Sequence, residues 1–225
     1  MQTTCFEEAE KVLPKCSDWT SVVMYPNIMQ LFSRMLAGVM VGPELSDSWP
    51  PVALKYIQCV GAAQAAMRKR YHPAFYWAAY YFDSEVLAFT AARREAAELV
   101  RPVLEARQAD YAANREEAKK HDDFIEWIME NYRASNKEVT PDETVQNIFI
   151  VMFASMQGTS FVALQSLFSI IGTPGALAEI REEIDRVSET ELHDGLWSRS
   201  SLGQLKLMDS FMKETLRVKP FTESK

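Results

Sequence analysis

Two groups of residues in this sequence carry side chains spaced for chemistry. Glu214 and Arg217, within LKLMDSFMKETLRVKP, are three apart, so on a helix they share one face and can pair. Leu205, Leu207, Met208, Phe211, Met212, Leu216 and Val218 crowd the same segment, which predicts partial burial of the pair. The second group is Ser155-Met156-Gln157-Gly158-Thr159-Ser160, a polar block inside an apolar run. Its hydroxyls and amide could face a cofactor or substrate, or could satisfy one another. Cysteine and histidine offer less. Cys5, Cys16 and Cys59 form an odd set without a CxxC pair, which predicts neither a disulfide framework nor a zinc site and suits a reducing compartment. His72, His121 and His193 are far apart with no HExxH spacing, so no metal site is expected.

The polar block needs a long element to hold it. No charged residue occurs from Thr144 to Ala178, a run of 35, which is long enough to span a membrane. The polar block would then lie at the bilayer centre, where lipid supplies no partners. The run therefore predicts a helix buried on all sides of a larger protein, with a membrane anchor as the alternative. Thr140 can cap this helix, Pro141 suits its first position, and Glu143 completes a capping box. Gly172-Thr173-Pro174-Gly175 should end it.

The remaining chain also reads as helix. Ile28, Leu31, Phe32, Met35, Leu36 and Val39 form an apolar stripe ended by Val41-Gly42-Pro43. Another helix should follow Trp49-Pro50-Pro51 towards Met67. Residues 75–82, FYWAAYYF, hold six aromatics in eight positions. Core or helix-interface packing is the preferred reading; a roof over a ligand and a membrane-interface surface are the alternatives. From Ala91 to Lys120 the mixed charges suit a long solvated helix, with Pro102 marking a kink or a boundary. Shorter helices are expected at Asp122–Asn131 and from Thr173 through Val187, and a last one capped by Ser201 and Gln204 runs to about Val218. The fold class is all-α.

Composition narrows the function. The 225 residues are 48% hydrophobic and 24% charged, with a net charge of −7, as in a soluble globular protein. That negative balance argues against nucleic acid as a partner. Eight glycines are few for glycine-rich phosphate loops, and the acidic start MQTTCFEEAEKVLPK does not resemble a signal peptide.

Taken together, the polar-centred helix and the ExxR segment DSFMKETLR resemble the cytochrome P450 family, particularly its filamentous-fungal secondary-metabolism members. LAEIREEID at Leu177–Asp185 resembles the segment after that helix. Val41-Gly42-Pro43-Glu44-Leu45, RPVLEAR at Arg101–Arg107 and DDFIEWI at Asp122–Ile128 follow the family in order. Residues 1–225 then form a single partial P450 domain, its central helical portion. The resemblance implies oxidation of an apolar secondary metabolite, such as a terpenoid, by molecular oxygen with electrons from an NADPH-dependent reductase. Haem is the implied cofactor, with Ala154, Ser155 and Gly158 facing it. Gln157 stands at the family's acid position and Gly158 at its threonine position, leaving Thr159 as the next hydroxyl for proton delivery. Glu214 and Arg217 become the structural ion pair. The family's haem-thiolate cysteine follows the ExxR helix, whereas no cysteine follows Cys59. Truncation at both ends, no thiolate haem and inactivity of the chain alone are therefore expected, with exposed apolar faces promoting self-association. As this chain it should be cytoplasmic, although full-length relatives are anchored to the endoplasmic reticulum. A non-catalytic all-α binding or interaction module derived from the same fold is the alternative.

Overall fold

The computed structural model describes residues 2–18, 20–114, 120–191 and 196–220, which excludes His193; the side chain of Cys5 is likewise outside the described set. Ten α-helices occur among them: α1 (Gln2–Val12), α2 (Met24–Met40), α3 (Trp49–Arg70), α4 (Tyr76–Phe82), α5 (Ser84–Asn114), α6 (Phe124–Ala134), α7 (Pro141–Gly172), α8 (Ala176–Glu191), α9 (Arg199–Leu202) and α10 (Lys206–Val218). The helices group into two compact units, residues 33–154 and residues 1–32 with 155–225.

The unit of residues 33–154 is built on α3 and α5, which pack along one another. Trp49, with no exposed surface, stacks on Phe149 at 5.2 Å, and Phe149 lies nearly parallel to Tyr56 at 3.5 Å. The Trp49 indole Nε1–H donates to Met152 Sδ at 3.1 Å. An apolar side chain and a polar handle are thereby both satisfied in one buried place. Pro102 neither divides nor ends α5, which continues through it to Asn114. Asp83 caps the start of α5, accepting from the amides of Glu85 and Val86 at 2.9 and 3.4 Å and pairing with Arg70 at 3.0 Å. Burial opposes its charge, but Arg70 and these amides prevail and hold the carboxyl below its usual range.

The aromatic run departs from the expected core packing. In α4 only Ala79 is buried, against Ala63 and Val86, while Trp77 is 62% and Phe82 78% exposed. A seven-residue helix can turn one narrow face to its neighbour, and here alanine occupies that face.

The long helix starts and stops as expected. Thr140 Oγ1 accepts from the Glu143 amide at 3.3 Å, and the Glu143 carboxylate accepts from the Thr140 amide at 2.9 Å. Gly175, at φ +82°, supplies the left-handed turn between α7 and α8. Burial on all sides is not observed. Only 28% of an 18-residue apolar window of α7 is buried, although by length and composition the helix could cross a membrane. Val145, Ile148, Met152 and Met156 turn inward, whereas Ile150, Phe153, Phe168 and Ile171 are exposed. Apolar residues therefore stand on its exposed side as well as on its inward side.

In the unit holding residues 155–225, the expected Ser201–Gln204 cap does not serve the last helix. Ser201 forms a reciprocal box with Ser198 around the single turn of α9, and Leu205 precedes α10 without a side-chain cap.

Candidate functional site

The polar block lies on α7 as the sequence predicts. Met156 and Ser160, one turn apart, are fully buried. Ala154 and Thr159 are exposed, and Ser155, Gln157 and Gly158 are half-buried. A Cβ built at Gly158 would meet no atom within 4 Å, so the backbone there borders open space. Ala154, Gly158 and Thr159 thus give this stretch a shallow, small-residue face with one hydroxyl. The block does not satisfy itself. Gln157 Oε1 accepts instead from the Tyr25 hydroxyl at 3.3 Å, and the buried Ser160 Oγ has no hydrogen-bond partner among the described residues. Tyr25 was not legible as a site residue, because it lies 132 positions away in an unremarkable helix start.

Glu214 and Arg217 do pair, with Arg217 Nε donating to Glu214 Oε2 at 2.7 Å. Hydrogen bonding to Arg217 lowers the Glu214 carboxyl from its usual range. The expected partial burial is absent, since the side chains are 59% and 70% exposed. The apolar residues nearby do not close over the pair. Because an exposed pair contributes little, Arg217→Ala should leave the thermal midpoint of this chain unchanged by circular dichroism.

The three upstream sequence pieces meet at one guanidinium. Arg107 donates through Nη1 and Nη2 to the two carboxylate oxygens of Asp123, both at 2.7 Å, and through Nη2 to Glu44 Oε2 at 3.2 Å. The Arg107 and Asp123 side chains are 5% and 1% exposed. Burial works against the Arg107 charge, but the Asp123 hydrogen bonds outweigh it and raise the pKa above the usual arginine value. Asp123 Oδ1 also accepts from the Glu126 amide at 2.9 Å, capping α6. Gly42 completes the junction at φ +79°: a Cβ there would lie 2.4 Å from Asp123 Oδ2 and 3.0 Å from Arg107 Nη2. Glu44, His121 and Asp123 resemble a metal triad in residue type, but the guanidinium of Arg107 already occupies the carboxylates.

A haem fits part of this arrangement. The small-residue face of α7 could lie against a planar macrocycle. A sulfur ligand for it is not assigned: Cys16 is exposed ahead of α2, and Cys59 lies half-buried on α3 one turn from Lys55, whose ammonium binds Glu95 at 2.5 Å.

These helices define the helical portion of a P450-type fold. Retinoic acid-bound cyanobacterial CYP120A1 matches 97% of the chain with a TM-score of 0.64, at 17% identity and over 44% of its own length. The chain belongs to the cytochrome P450 family, whose profile, described as Cytochrome P450, matches residues 9–225. Fungal relatives include cytochrome P450 monooxygenase braC of Annulohypoxylon truncatum, 25% identical over 96% of this chain and 42% of its own. Another is cytochrome P450 monooxygenase ascG of Acremonium egyptiacum, 26% identical over 94% of this chain and 42% of its own. The chain thus spans about two-fifths of the length of these relatives.

Proposed function

We propose that residues 1–225 are one partial P450 domain that forms the distal side of a haem monooxygenase acting on an apolar secondary metabolite, a terpenoid being one suitable class. The observation that carries this reading is the open Ala154–Thr159 face within a P450-family helix. When bound with a thiolate ligand, haem supplies oxygen-activating chemistry. In this reading Ala154, Ser155 and Gly158 border the macrocycle. The Thr159 hydroxyl delivers a proton near it, while Gln157, held by Tyr25, keeps the neighbouring turn in place. The exposed aromatics of α4 offer an apolar surface suited to a lipophilic substrate or a membrane interface. Electrons would come from an NADPH-dependent reductase, at the endoplasmic reticulum for a full-length protein.

The test is a chimera in which residues 9–225 replace the matching segment of the braC relative. It should give a thiolate-type carbon-monoxide difference band and oxygen-dependent NADPH consumption, whereas the purified 225-residue polypeptide supplied with haem should give no such band. Thr159→Val in the chimera should lower product formed per NADPH consumed while keeping the band. A folded chimera without the band would overturn the reading.

A further inference from the structure

The N-terminus of α10 lacks a local acceptor. Its N-cap residue is Leu205, an apolar side chain that is itself buried. The amides of Leu207 and Met208, the second and third positions of the helix, are those that an N-cap side chain ordinarily satisfies. Here both donate to Glu183 of α8: Leu207 N to Oε1 at 2.7 Å and Met208 N to Oε2 at 2.9 Å. Glu183 is 6% exposed, so these two amides take the places that water would otherwise hold at its carboxylate oxygens. Met208, Phe211, Met212 and Leu216 are half-buried along α10. Thr215 is its one buried residue, and the Glu214–Arg217 pair is exposed.

We infer that Glu183 is a positioning residue, an N-cap supplied from a neighbouring helix that docks α10 and thereby aims Glu214 and Arg217. A bidentate carboxylate fixes both the distance between the two helices and the rotation of α10 about its axis. Apolar packing, being non-directional, would fix neither as closely. The inference rests on the geometry of α8 and α10 and is independent of the proposed oxygenase role.

Amide hydrogen exchange of the full chain, read residue by residue by NMR, tests it. Glu183→Ala should reduce protection of the Leu207 and Met208 amides roughly fivefold or more, the size of a lost helix cap. Glu183→Gln, which keeps the shape and one acceptor oxygen, should preserve one of the two amides and leave α3 and α5 at their original protection. That graded rescue separates capping from simple space-filling. If Glu183→Ala does not fold, Glu183→Gln alone carries the test. Unchanged protection of both amides in either variant, or an equal loss throughout the chain in Glu183→Gln, would overturn the inference.

Discussion

Replacing Arg107 by alanine should lower the unfolding free energy by about 3–5 kcal/mol, the usual result of stranding one member of a buried ion pair. Natural domains have only about 5–15 kcal/mol in total, so the variant should unfold at far lower urea concentration. The loss comes from Asp123, whose 1%-exposed carboxylate would lose its partner in a place that water does not reach. A second variant separates charge from packing. Arg107→Met combined with Asp123→Asn should recover more than half of the loss, because asparagine still caps α6 and carries no charge. Urea titration followed by circular dichroism reads both. Equal instability of the single and double variants would mean that shape, not charge, governs the junction.

Trp49→Ala is expected to be comparably severe, about 3–5 kcal/mol by the usual cost of removing a fully buried aromatic. It would remove the stack on Phe149 and the donor to Met152, both on the half of α7 that leads to Ala154. Trp49→Phe retains a ring, removes less buried volume and should cost clearly less than Trp49→Ala. The contrast can be measured by urea unfolding, with near-ultraviolet circular dichroism reporting the aromatic packing. A near-neutral Trp49→Ala would show that Tyr56 and Phe149 hold α7 without it.

Local signals were the legible ones. The boundaries of α7 follow from Thr140, Pro141 and Glu143 at one end and Gly172 at the other, all within a turn of the backbone groups they govern. The polar block was legible for the same reason, as a break in an otherwise apolar helix. What depended on distant partners was not. Arg107 resembled one more charge on a solvated helix until Glu44 and Asp123 closed around it. The cap of α10 comes from Glu183, 24 positions before the amide of Leu207, and no nearby hydroxyl betrays it. Periodicity also says which residues are apolar but not whether anything covers them. That is why the aromatics of α4 and the outer side of α7 were expected inside and stand outside.

The two roles of Asp123 bear on how this chain can drift. One carboxylate neutralises Arg107 while it caps α6, and the glycine beside it has no room for a methyl group. Positions 44, 107 and 123 should therefore change as a block in an evolutionary record. Descendants that abandon the arginine should also give up the aspartate for a neutral cap, while the φ of +79° at position 42 continues to call for glycine.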